Sequence, residues 1–170
     1  NVRGRYTLGA DESASNFNWG AVRYFGAVVR IGTAGTNAET VFATGLVGPF
    51  VSYGAVTASN LASTSEGVFW EFRTDANSGQ WVGGARTGSS TSVTASGVVA
   101  TVGDRYLLEF FRHADDTLQW YLNGTLVRTD ASGLWPADAA CNFFWTMLGD
   151  DVTSRTAQLD TLCVVSVAPN

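Results

Sequence analysis

The chain is organised as short runs of Val, Phe, Tyr, Trp and Thr broken by Gly, Ser, Asn and Asp. Apolar residues recur every second position rather than at helical spacing, which predicts strands and no helix. The pattern places strands at Arg5–Gly9, Ala21–Gly32, Glu39–Val47, Gly67–Thr74, Gln80–Thr87, Thr91–Ala95, Arg105–His113, Thr117–Leu122, Thr125–Thr129, Cys141–Leu148 and Ala157–Val167. Short strands in such number predict an all-β antiparallel sandwich or barrel.

One turn sets a register. Asn123-Gly124 supplies the two positive-φ positions of a type I′ hairpin turn, so Leu122 should face Thr125, Trp120 face Val127 and Leu118 face Thr129. Those residues read as core, with Gln119, Tyr121, Leu126 and Arg128 on the other side. Asn123-Gly124-Thr125 also matches a glycosylation acceptor, but the turn accounts for the same residues. Ala114-Asp115-Asp116 makes a second short turn, so Arg105–Thr129 reads as a meander.

Two strands are apolar on both faces. In the Tyr106 strand, Tyr106, Leu108 and Phe110 oppose Leu107, Glu109 and Phe111; in the Gly67 strand, Val68, Trp70 and Phe72 oppose Phe69, Glu71 and Arg73. Phe69, Leu107, Phe111, Tyr121 and Leu126 are therefore expected to share a second face, covered by a partner or by the chain's own loops.

Composition narrows the functional classes. The 170 residues fit one domain, 1–170, and 45% hydrophobic against 15% charged residues supplies ample core. No apolar run is long enough for a membrane span, and Asn1 to Tyr6 lack a signal-peptide layout; the start at Asn1 suggests excision from a longer chain. With a net charge of −5 and ten arginines but no lysine, no basic patch suits nucleic acid. Arginine without lysine suits a surface that packs against other proteins, although coding bias produces the same composition.

Residues able to carry chemistry are sparse. Glu71 and Glu109 could share a face as a glycosidase pair, but each has an arginine nearby, and the Glu-x-Asp-x-x-Glu signature of glucanases is absent. His113, the sole histidine, lacks a nucleophile elbow to serve. Cys141 and Cys163 have no metal spacing and read as buried free thiols. Asp115-Asp116 and Asp150-Asp151 suit calcium or acidic turns, without the regular spacing of a calcium loop. Gly83-Gly84 and Gly88 lack the lysine of a phosphate loop. No catalytic residue, metal or cofactor is assigned, and the chain reads as a non-enzyme. Trp19 and Trp135, both in loops, are the candidate ligand-binding aromatics.

The order Gly67-Val68-Phe69-Trp70-Glu71-Phe72, Trp81, Gly103-Asp104-Arg105-Tyr106-Leu107-Leu108-Glu109-Phe110, Trp120-Tyr121-Leu122-Asn123-Gly124-Thr125-Leu126-Val127 and Ala157-Gln158-Leu159-Asp160-Thr161-Leu162 resembles concanavalin A-like jelly-roll domains. The resemblance runs from Tyr24 to Val167 and is strongest to the version in structural proteins of tailed bacteriophages. It implies a jelly roll of about ten strands and a virion role, as a capsid-decorating or tail-fibre-type domain on an extracellular particle. It further implies virion-protein partners and a homo-oligomer. Leu107 and Phe111 stand where that family tends to be polar, which favours a protein contact. The alternative expectation is a carbohydrate-binding module that attaches to cell-surface glycan; the second alternative is a glycoside hydrolase.

Overall fold

The computed structural model describes residues 2–7, 17–33, 41–48, 66–73, 77–87, 90–131, 133–136, 140–149 and 156–167. Its strands are β1 (Val2–Thr7), β2 (Phe17–Asn18), β3 (Val22–Thr33), β4 (Val41–Val47), β5 (Gly67–Arg73), β6 (Gln80–Thr87), β7 (Ser90–Val99), β8 (Arg105–Arg112), β9 (Leu118–Leu122), β10 (Thr125–Asp130), β11 (Ala140–Gly149) and β12 (Thr156–Ser166). Among the described residues they form two antiparallel sheets. One has seven strands, ordered β1-β11-β4-β5-β6-β7, with β2 also on β11; the other has five, ordered β10-β9-β8-β3-β12. The protein is a β-sandwich, one of the two architectures that the alternation predicts, and it has the jelly-roll form that the resemblance implies.

The core lies between the sheets because each strand turns its bulky alternate residues inward. Trp70 of β5 meets Trp120 of β9 edge to face at 5.6 Å, Trp81 of β6 meets Tyr106 of β8 at 5.3 Å, and Phe25 of β3 stacks towards Phe143 of β11 at 6.3 Å. The Trp70 indole donates to the backbone oxygen of Glu109, so an apolar anchor also ties one sheet to the other by a hydrogen bond.

Three sequence expectations change. β2 was not anticipated, and β7 runs longer than Thr91–Ala95. The Asn123-Gly124 turn forms, with both residues at positive φ and Leu122 opposite Thr125. Beyond Leu126, however, a bulge at Val127 brings Arg128, not Val127, opposite Trp120. Arg128 therefore points inward and is buried, where it donates to Gly83 O at 2.6 Å and to Ser92 Oγ at 2.6 Å, and pairs with Asp130 at 2.7 Å. That arrangement links β10 to β6 and β7 across the open edge of the sandwich.

Candidate functional site

The outside of the five-stranded sheet is built from the alternate residues of its strands. Phe25, Ala27, Val29, Tyr106, Leu108, Phe110, Leu118, Trp120 and Leu122 face the core. Their neighbours must face out. Strand registers set these neighbours in rows: Val165, Tyr24, Phe111 and Gln119; then Cys163, Gly26, Glu109, Tyr121 and Leu126; then Val28 and Leu107; and last Gln158, Arg30 and Arg105.

The first two rows form an aromatic surface. Tyr24 and Phe111 lie 4.6 Å apart, and Phe111 meets Tyr121 edge to face at 5.4 Å. Phe111 is 37% exposed and Leu126 is 48% exposed, while Leu107 and Tyr121 are half-buried. Tyr24 reaches over Gly26, where a Cβ would collide with its phenol, and donates to Glu109 Oε1 at 2.8 Å. Partial burial, together with that carboxylate, pushes the Tyr24 phenol far above its ordinary range, so it stays a donor. Tyr121 Oη donates to Gln119 Oε1 at 3.0 Å, and His113 Nε2 lies 2.7 Å from the same oxygen. The rings are therefore held in place by polar groups that themselves border the surface.

The outside of the seven-stranded sheet is different. Phe69 is 0% exposed and packs with Ala43, Val47 and Phe144 in a second apolar cluster, its ring lying over Gly84. Glu71, Arg86 and Asn142 are buried as well. The five residues expected on one face thus divide: Leu107, Phe111, Tyr121 and Leu126 share the exterior of one sheet, and Phe69 belongs to the opposite exterior. Alternation distinguishes inside from outside but not which sheet a strand joins, and β5 pairs with β4 and β6.

The loop tryptophans are not surface groups. Asn18 Oδ1 accepts from Gly20 N, and this turn folds Trp19 inward to 0% exposure. Trp135 is 7% exposed, meets Trp19 edge to face at 5.2 Å, and donates its indole N–H to Trp19 O at 2.9 Å. Arg112 lies over the Trp135 ring and donates to Trp19 O and Gly20 O. Loop position suggested exposure; here the two rings pin loops to the core instead. Cys163 also departs from expectation, being exposed on the outer face, whereas Cys141 is buried.

The carboxylates separate in the same way. Glu71 lies outside the seven-stranded sheet and Glu109 outside the five-stranded one, with a core layer of about 10 Å between the sheets. They cannot flank one glycosidic bond, which requires a separation of roughly 5–9.5 Å across an open cleft. Asp115 accepts from Thr117 N at 3.0 Å, which holds its carboxyl below the usual range, and Asp116 pairs with Arg112 at 2.7 Å. Both carboxylates are engaged in the turn; Asp150-Asp151 lies outside the described residues. Among the described residues, no three His, Cys, Asp or Glu side chains gather as a metal site.

Tyr24 and Gln119 complete the aromatic surface, yet sequence reading passed over them as site residues. Their signal was parity: Tyr24 alternates with core Phe25, and Gln119 with Trp120.

No family model and no curated protein sequence matches the chain. Solved structures do. The carbohydrate recognition domain of Emp46p in its potassium-bound form aligns over 97% of this chain and 78% of its own, with a TM-score of 0.67 and 10% identity. A carbohydrate-binding module of Bacillus subtilis, CBM66, aligns over 96% of both chains with a TM-score of 0.53 and 13% identity. A Bacillus licheniformis beta-glucanase aligns over 98% of this chain and 78% of its own, with a TM-score of 0.55 and 11% identity. At such identities the likeness is one of fold, the concanavalin A-like jelly roll shared by lectins, binding modules and glucanases.

Proposed function

We propose that this domain is a non-catalytic carbohydrate-binding module, and that it binds sugar on the outside of its five-stranded sheet. The observation that carries the reading is the aromatic cluster of Tyr24, Phe111 and Tyr121, with Phe111 exposed, bordered by Glu109, Gln119 and His113. A pyranose ring has an apolar C–H face and a rim of hydroxyls. Aromatic rings meet the first, and fixed polar side chains meet the second. The solved carbohydrate-recognition and carbohydrate-binding domains of the same fold support a binding role, and the opposed placement of Glu71 and Glu109 argues against hydrolysis by that pair.

A glycan array probed with the soluble domain tests the proposal. The expected result is selective binding that Phe111→Ala and Tyr121→Ala each weaken by roughly tenfold while the fold is retained. No binding by the native domain, or binding indifferent to both variants, overturns it.

A second reading keeps the virion setting. Phe111, Leu126 and Val165 are large apolar side chains exposed on one sheet face, and a virion protein or a second copy of the chain could cover them. On that reading the domain decorates a capsid or fibre of an extracellular particle, and Phe111→Asp releases it from its partner without altering glycan binding.

A further inference from the structure

We infer that the sugar ligand is acidic, and that Arg30 and Arg105 bind its anionic group, a uronate carboxylate or a sulfate ester, at the far end of the same face. The inference rests on the glycan reading above. Arg30 and Arg105 are cross-strand partners on β3 and β8, and both are exposed. Like charges placed opposite each other cost stability, and the partners each side chain has within the chain offset that cost unequally. Asp160 neutralises only one: it lies 2.8 Å from Arg105 Nε, whereas Arg30 Nε donates to the backbone oxygen of Gly103. Among the described residues, two guanidiniums therefore stand on an open surface with a single carboxylate, paired to Arg105, between them. Arginine's planar fork matches a carboxylate or sulfate through two parallel hydrogen bonds.

The face also has a direction. Along β8 the outward residues run Arg105, Leu107, Glu109 and Phe111, so the aromatic end carries a carboxylate and the other end carries cations. Six residues of strand span about 20 Å, farther than one sugar ring reaches. The ligand is thus an oligosaccharide, with a neutral ring over Phe111 and its charge at the arginines.

The test combines two measurements on the native domain. Arginine Nε–H signals are followed by NMR during titration with sodium glucuronate, sodium sulfate, and sodium chloride at matched ionic strength. Calorimetry then compares neutral, uronate-containing and sulfated oligosaccharides of equal length. Expected are shifts of the Arg30 and Arg105 signals with glucuronate or sulfate but not chloride, and tighter binding of one acidic series. Arg30→Gln or Arg105→Gln should remove that advantage, roughly tenfold, and Asp160→Asn should increase it. The increase matters because damage to the fold would not produce it. Equal binding of neutral and acidic oligosaccharides, still lost in Phe111→Ala, overturns the acidic-ligand inference and leaves the glycan reading standing. Arginine shifts without binding of any oligosaccharide overturn the glycan reading itself.

Discussion

Single side chains in this domain behave according to what the fold places around them, not according to residue type. The two cysteines show it. Burial pushes the Cys141 thiol from 9.0 up to about 12, whereas Cys163 lies exposed beside Gly26 and near Tyr24. Because the folded value for Cys141 exceeds the unfolded one, its contribution to stability is complete below about pH 9 and declines as pH rises towards 12. Native protein treated with iodoacetamide at pH 8 should therefore gain one adduct, at Cys163, and urea-unfolded protein should gain two; intact mass and peptide mapping check this. Arg128 is the sharper case. Removing a buried guanidinium leaves Asp130, Gly83 O and Ser92 Oγ without it, so Arg128→Ala should cost about 3–5 kcal/mol in urea unfolding. In Arg128→Ala with Asp130→Ala, the loss should be smaller than the sum of the two single losses. Strict additivity would mean that the pair does not act as a unit.

At the scale of elements, the β9–β10 hairpin marks how far local sequence reaches. Asn123 sits at φ 51°, donates its N–H to Leu107 O and accepts from Leu107 N through Oδ1, so the turn is bonded to β8 as well as closing its own hairpin. Asn123→Ala should lose about 1–2 kcal/mol and Asn123→Gly less, since glycine restores the positive φ but not the side-chain bond; thermal melts distinguish them. Asn-Gly was legible because a type I′ turn needs those residues whatever surrounds it. The bulge at Val127 was not, because it depends on what lies across the sandwich: Gly83 O and Ser92 on another sheet receive Arg128. The same division explains the tryptophans. Alternation correctly set Trp70 and Trp120 in the core, but Trp19 and Trp135 follow no strand period, and their burial depends on tertiary contacts, with each other and with β8, that no local pattern encodes. The candidate surface was legible where strand parity operates, at Leu107, Phe111, Tyr121 and Leu126. It was illegible for Phe69, whose parity was right but whose sheet could not be read from β5 alone.

At the scale of the whole molecule, the two exteriors differ at the middle of each sheet, closed around β5 and open around β8, and one pair of substitutions separates them. Phe69 and Phe111 both stand on the outward side of a strand that is apolar on both faces. Phe69 is closed off within the chain by Ala43, Val47 and Phe144, whereas Phe111 retains 37% exposure among Tyr24 and Tyr121. A carboxylate at position 69 would be buried without a designed partner and would leave a cavity, so Phe69→Asp should cost more than about 4 kcal/mol and yield little folded protein. A carboxylate at position 111 can reach water. Phe111→Asp should change stability by no more than about 1 kcal/mol, while adding charge beside Glu109 and abolishing whatever binds there. Urea unfolding of the isolated domain, with circular dichroism for the fold, measures both. If Phe111→Asp unfolds the monomer as Phe69→Asp does, the five-stranded face is closed by the chain itself, and neither a sugar nor a partner protein has access to it. If it leaves the fold intact and removes binding, the exterior of the five-stranded sheet is the working surface.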